Sequence, residues 1–462
     1  MKKNNILLTL SCIVLIVAGC SQELDIKPKD SVTEDQALDS PEAIQSLLVG
    51  AYDRMADDDV YGGWIQMTSD LLGTNFDITW NGTFSDPGDI WSKAMTSNNG
   101  QAEVTWTETY EAINVTNIVL ANLDVVTDED EKSRIEGEAK FIRGTMYFEL
   151  VRLFAKDWAD GDPAVNLGVP LKLTPTDLNY NPAVNFISRA TVAEVYDQVF
   201  EDLNTAEELL ANLDGNGFYA TVWAAKAVLA RVYMQQRDYD NARIKANEVI
   251  ESGQFSLVDR IDRAFNQANN SVEDIFAIQV TNQDGENALQ TFYAATAYNG
   301  RRDIRIRPEY EALFEEDDQR LQYLIYYDVS GRRLSGKYKD QFANISIIRL
   351  AEMYLLRAEA NLLAGGTQVG PNTPGDDLQL IRARAKASDA PANPTLDDIL
   401  LERKRELGFE GQFIHDIRRT ETTIEQLGTY AWNDDVLVLP IPQREVDANP
   451  SLKGQQNPGY GN

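Results

Sequence analysis

The sequence predicts a mainly α-helical protein in which stacked pairs of antiparallel helices carry long irregular loops and a few short strands. Three observations point there. Apolar residues recur at helical spacing through long segments: in Glu129–Asp157, Ala139, Ile142, Met146, Leu150 and Phe154 share one face. Small and apolar residues at Leu229, Ala230, Tyr233 and Ala242 leave room for two helices to touch. Between the helical segments lie polar, aromatic-bearing stretches with little period, the longest from Asp57 to Gln101. So long a stretch is functional or disordered as a rule, and its tryptophans argue against disorder. With 462 residues, 43% of them hydrophobic, the chain can bury a large core.

Residues 1–19 read as a signal peptide. Lys2 and Lys3 precede an apolar run from Ile6 to Ala18, short of the ~20 residues that span a bilayer as a helix. The run ends Val17-Ala18-Gly19-Cys20, which resembles the lipobox of bacterial lipoproteins; the alternative is an ordinary cleavage site beside an incidental cysteine. Cys12 leaves with the leader, so the mature chain keeps only Cys20 and no internal disulfide. Several acyl chains on Cys20 would anchor it stably. Residues 20–39 are polar, contain Pro28 and read as a lipidated tether.

Residues 40–462 then form one unit. Ser40-Pro41-Glu42 starts a helix that runs to Ala56: a capping side chain, a proline in the first turn and an acid by the helix dipole. Asp57–Gln101 is expected to be irregular, broken by short buried pieces such as Ile65–Leu72. Helices follow at Thr105–Leu123 and Glu129–Asp157. Thr191 and Glu194 make a capping box for the next. Tyr219–Ser252 has tetratricopeptide-like spacing, with its turn at Arg237-Asp238-Tyr239, and one such pair needs neighbours to bury its faces. Glu273–Val280 alternates like a strand. Asn282–Arg307 is a second polar, aromatic loop. Helix is expected at Pro308–Leu324, at 347–364 and at 376–407. The tail from Leu437 is rich in proline and should pack as an extended strap.

The stretch Ile399–Arg419 reads ILLERKRELGFEGQFIHDIRR. Leu396, Ile399, Leu400 and Leu407 share a helix face. Gly408 and Gly411 break it, and Phe413, Ile414 and Ile417 begin another face. This is a helix–turn–helix corner held by ion pairs, among them Glu402 with Arg405 on the surface. Glu-Leu-x-Phe-Glu-Gly followed by Asp-x-Arg-Arg resembles the C-terminal signature of the SusD/RagB family, surface lipoproteins that bind glycans and cap TonB-dependent transporters. The basic–aromatic pair usual after the second glycine is Phe413-Ile414 here. Gly168-Val169-Pro170-Leu171 and the tail LPIPQREVDANPSLKGQQNPGY resemble further family blocks. The resemblance implies a SusD-like fold of tetratricopeptide-like helix pairs. It also implies a cell-surface position on the outer membrane and a SusC-like transporter partner.

Composition and motifs exclude much else. With 73 acidic against 42 basic residues, the net charge of −31 repels phosphate backbones, so nucleic acid is not a partner. Glycoside hydrolysis needs two carboxylates across a cleft, but Glu406 and Glu410 lie inside the signature. His415, the only histidine, has no cysteine nucleophile to serve, and there is no G-x-S-x-G. No cofactor is implied. Asp57, Asp59 and Gly62 begin like a calcium loop, yet Thr68 stands where the bidentate Glu belongs; a structural calcium elsewhere on this acidic chain stays open.

What remains is sugar chemistry. A flat ring covers the C–H face of a sugar while amides and guanidiniums bond its hydroxyls. The candidates are Trp64, Trp80 and Trp91 with Asn81, closed on one side by Tyr293, Tyr298, Asn299 and Arg301. The acidic field favours a neutral polysaccharide or oligosaccharide. Arg301, Arg302, Arg305 and Arg307 form a local basic cluster that could hold a uronate, although Arg305 and Arg307 are expected to pair with Glu309, Glu311 or other acids. A peptide-capturing member of the same family and a surface interaction scaffold are the alternatives. The lipid anchor is directly testable: Cys20→Ala is expected to move the protein out of the membrane fraction of lysed cells, and its retention there would refute acylation at this residue.

Overall fold

The computed structural model describes residues 38–176, 181–211, 218–283 and 287–461; the leader, Cys20 and nearly all of the tether lie outside them. Ser40 accepts from the Ala43 N–H (3.2 Å) and opens α1, Pro41–Ala56, which buries Ile44, Leu48, Ala51 and Met55. The stretch expected to be irregular is more regular than its composition suggests: it holds α2 (Trp64–Gly73), β1 (Ile78–Trp80) and α3 (Ser85–Ser92). Every residue of α2 is buried, so it shows no amphipathic period to read.

Next come α4 (Gly100–Ala121), capped by Asn99 ahead of its expected start, and α5 (Glu129–Phe154). The short α6 (Pro182–Asn185) leads to α7 (Val192–Leu209), where the Thr191–Glu194 capping box forms. Gly144 lets α5 and α7 touch: a Cβ there would lie 3.1 Å from Asp202 Cβ and from Leu203 Cγ. The tetratricopeptide-like unit is α8 (Val222–Gln235) and α9 (Tyr239–Glu251). β2 is Asp274–Ile278 and α10 is Ala288–Tyr293. After β3 (Ile304–Ile306), the helix expected over 308–324 divides into α11 (Pro308–Glu311) and α12 (Gln319–Leu324). Then β4 (Ile325–Tyr327), β5 (Arg333–Ser335) and β6 (Ile345–Arg349) lead directly into α13 (Leu350–Ala364). Residues 345–349 are thus strand rather than the start of a helix, because β6 pairs with β2.

Two helices fill 374–407: α14 (Pro374–Arg384) and α15 (Leu396–Leu407), each opened by a Thr–Asp capping box. α16 is Phe413–Arg419. The proline-rich tail is a strap with one short helix, α17 (Gln443–Ala448), between its prolines. The helices stack in a continuous series, α1 on α4, α4 on α5, α5 on α7, then α8, α9 and α13, with α14 and α15 closing the end. Among the described residues, three two-stranded antiparallel ribbons, β1–β3, β2–β6 and β4–β5, decorate this mainly helical scaffold.

Around the signature the interior is ionic. Glu406 of α15 meets Arg349 at 2.6 Å, Arg384 at 2.5 Å and Arg320 at 3.3 Å, and all four side chains are buried. Arg349 and Arg384 also share Glu273 (3.1 and 2.5 Å), while Glu410 takes Arg349 and Lys337 (2.8 and 2.5 Å). Glu402 is buried as well, against Arg320 (2.7 Å) and Arg382 (2.8 Å), so its link to Arg405 is not the surface pair the spacing suggests. Burial by itself would raise the Glu406 carboxyl; the guanidiniums of Arg384, Arg349 and Arg320 outweigh it and hold the group far below the usual carboxylate range. Glu406→Gln removes a carboxylate that three buried arginines share, and removing one partner of such a set costs ~3–5 kcal/mol. Denaturant unfolding should show a loss of that size; a change under 1 kcal/mol would mean that Glu406 is not the centre of this network.

Candidate functional site

The groove that the loops build starts at the turn between α1 and α2. The Gly62 carbonyl accepts from the Ala288 N–H (3.0 Å), and Gly63 lies at φ 152°, where a Cβ would sit 2.8 Å from Ala288 Cβ. That close approach sets the start of α2 against α10 and brings Trp64 to Phe292, their ring centroids 4.7 Å apart. β1 delivers Trp80 to the same ring at 5.8 Å. Trp80 Nε1 donates to the Phe84 carbonyl (3.1 Å), which fixes Phe84 over Phe292 in an edge-on contact at 6.2 Å.

Phe84 is the ring left to solvent, 50% exposed, whereas Trp64 and Trp80 are at 5% and 8%. The turn after α10 folds back, the Arg301 N–H donating to the Thr291 carbonyl (2.6 Å), and the Arg301 guanidinium lies 4.5 Å from the Phe84 ring. Asp303 holds it there at 2.7 Å. The result is a groove of about 590 Å³ lined by Trp64, Phe84, Phe292 and Arg301, with Asp58, Asp86, Gln101 and Thr291 among its polar members. One apolar face with amide, hydroxyl, carboxylate and guanidinium groups around it is what stacking plus hydrogen bonding to a polyol requires.

Of the sequence candidates, Trp64 and Arg301 line the groove, Trp80 packs with Trp64 on Phe292, and the others lie outside the lining. Trp80 supports the groove from below. Trp91 is half-buried outside the groove lining, its Nε1 donating to the Ile78 carbonyl (3.3 Å). Tyr293 offers no platform: it is fully buried and donates to Asp70 Oδ2 (3.3 Å). Asn81 is exposed and bonded to Thr79 Oγ1 (2.6 Å). Tyr298 and Asn299 stand exposed on the turn after α10, Tyr298 against Tyr326 at 5.7 Å. Phe84 and Phe292 are the rings the sequence reading left out of the site. Phe84 carries a legible signal, a lone aromatic in the Gly/Asp/Asn run just before the Ser85-Asp86-Pro87 helix start.

The carboxylates of Asp57, Asp58 and Asp59 come within 4.8 Å of one another, but Thr68 is buried within α2, so a twelve-residue calcium loop is not formed. Asp59 is held above the usual carboxylate range, first by burial and opposed by the Gln101 amide bond. His415 is buried, and burial followed by the charges of Arg152 and Arg418 keeps its imidazole neutral. Glu406 and Glu410 face guanidiniums rather than a cleft.

A family model described as starch-binding associating with outer membrane matches residues 24–234, and the SusD family model matches residues 323–460. The chain belongs to the SusD family. SusD-like protein P2 of Formosa agariphila is 25% identical over an alignment that covers both chains in full. The crystal structure of a SusD superfamily protein from Bacteroides thetaiotaomicron superposes with a TM-score of 0.80 at 25% identity, over 91% of this chain and 100% of that one. A putative sugar binding protein from Bacteroides vulgatus gives 0.80 at 28%, over 92% and 99%.

SusD proteins bind carbohydrate and are not enzymes, and the family is associated with the outer membrane. Residues 235–322, which carry α10 and Arg301, fall between the two matched stretches. In this SusD protein the geometry at Gly63 is testable. A side chain at φ 152° is strained and would meet α10, at ~1–3 kcal/mol. Gly63→Ala should therefore lower the melting temperature by about 1–3 °C in a chain of this length; an unchanged value would show that α2 and α10 are held together by other contacts.

Proposed function

We propose that this protein captures a polysaccharide or oligosaccharide at the cell surface, in the groove between Phe84, Trp64 and Arg301, and passes it to a partner TonB-dependent transporter. One observation carries the reading: a half-exposed ring, Phe84, is backed by three buried rings and flanked by a guanidinium and amide groups in a groove large enough for sugar residues. A ring locked in this way stacks without first having to be ordered. The groove asks for apolar C–H faces and hydroxyls, and stacking there requires no charge, which suits an uncharged stretch of glycan. Trp64 and Arg301 are the sequence candidates it employs; Tyr298 and Asn299 extend the same loop. An acylated Cys20 would hold the protein on the outer face of the outer membrane, next to its transporter.

Covering ~50–80 Å² of apolar surface on Phe84 is worth about 1–2 kcal/mol at ~25 cal/mol per Å². Affinity electrophoresis through gels containing neutral polysaccharides, run beside an assay for released reducing sugar, is the test. The expected outcome is retardation in at least one gel, no release, and roughly tenfold weaker retardation for Phe84→Ala with an unchanged circular dichroism spectrum. Release of sugar, or full retardation of Phe84→Ala, would overturn this site.

A further inference from the structure

Next to the groove the chain carries positive charge without a matching acid. Ile304 and Ile306 of β3 face inward, and Arg305 stands on the other side of the ribbon, opposite Thr79 of β1. Sequence spacing leads one to expect Arg305 and Arg307 to be neutralised by nearby acids. Arg307 is, by Glu309 at 2.7 Å. Among the described residues the Arg305 guanidinium has neither an ion pair nor a hydrogen bond, and its Nε is sealed from solvent with no acceptor. An unmet buried donor of this kind costs ~1–3 kcal/mol.

The surroundings deepen the imbalance. Asp328 serves both Arg302 (3.8 Å) and Arg332 (3.2 Å), and Asp303 is engaged by Arg301 (2.7 Å). Three guanidiniums therefore share two carboxylates, and Arg305 pairs with neither. Burial, and then the charges of Arg332 and Arg302, lower the Arg305 pKa, and the opposing charges of Asp328 and Asp303 compensate only in part. The exposed Tyr298 ring stands nearby against Tyr326, with the Lys339 ammonium 4.6 Å from the Tyr326 ring. Arg301, one residue before Arg302, rests on Phe84 and joins this patch to the groove. The chain's net charge of −31 acts through solvent and is screened beyond ~8 Å at physiological ionic strength, whereas an anion at this patch meets guanidiniums at contact distance. Arginine also presents the planar fork that matches carboxylate and sulfate oxygens.

We propose that Arg302, Arg305 and Arg332 form an anion subsite beside the groove that takes the carboxylate or sulfate ester of an acidic glycan. This rests on the glycan-capture reading above. The glycan would then lay an uncharged ring face on Phe84 and place an acidic substituent against Arg305.

Calorimetry on the soluble chain at two salt concentrations tests this with matched probes: glucuronoxylan against unsubstituted xylan for the carboxylate, and dextran sulfate against dextran for the sulfate ester. At least one acidic probe should bind about tenfold or more tighter than its neutral counterpart at physiological salt, and the arm that shows it identifies the anion. Arg305→Gln should bring the acidic-to-neutral ratio to about one. Arg302→Gln should reduce it severalfold, a second readout should Arg305→Gln unfold. Neither acidic probe exceeding its neutral partner, or a ratio unmoved in both variants, would overturn the subsite. Neutral binding that depends on Phe84 but shows no acidic preference would leave glycan capture standing and remove only this inference.

Discussion

Glu406 and its arginines are the constraint on which the rest of this structure depends. One carboxylate on α15 meets Arg349 at the end of β6, Arg384 at the end of α14 and Arg320 on α12. Burying so many charges carries a large desolvation penalty, and an apolar core of equal volume is often as stable or more so. What the ionic version supplies is geometry: each guanidinium has donors in a fixed fork, so the helix ends that carry the partners can dock in one arrangement only. Flanking pairs extend the same principle, Arg231 to Glu352 at 2.6 Å and Arg357 to Asp377 at 2.6 Å, both buried between stacked helices.

The network reaches the groove through a short chain of contacts. Glu410 is tied to Arg349 and Lys337, and the next residue, Gly411, donates its N–H to Asp70 of α2 (3.3 Å). The same Asp70 oxygen accepts from Tyr293 of α10 (3.3 Å). Burial raises the Asp70 carboxyl well above its ordinary value, opposed by these two hydrogen bonds. α2 begins with Trp64 and α10 carries Phe292, so the signature corner fixes the two elements whose rings back Phe84. Binding residues on loops are precise only when a rigid scaffold holds the loops, and here the hold is traceable residue by residue.

The electrostatics divide by location. The chain as a whole is strongly acidic, and many of its arginines are consumed in buried pairs. The Arg302–Arg305–Arg332 patch is an exception, and it lies beside the groove that exposes the Phe84 ring. A global charge count favours neutral ligands; a local count at β3 favours an anionic group. At contact distance the local count governs, because the distant acids are screened.

The sequence by itself determined the helical class, the start of α1 at Ser40, the capping box at Thr191, the α8–α9 pair, the strand near 274–278 and the signature corner. These are legible because periodicity and caps are local properties, read from residues three or four apart. Of the loop residues it singled out as candidates, Trp64 and Arg301 line the groove. Only the tertiary structure decided which ring faces solvent: Phe84 is exposed because Trp64, Trp80 and Phe292 fill the space beneath it, and those three come from separate elements. Tyr293 differs from Phe292 by one position along a short helix, yet one backs the groove and the other is sealed against Asp70. The ionic core was equally hidden, since Glu273, Arg320, Arg349, Arg384 and Glu406 meet across more than a hundred residues. Whether Arg305 had a partner was a question of which acids β3 and β5 bring within reach, and no spacing rule along the chain contains that answer.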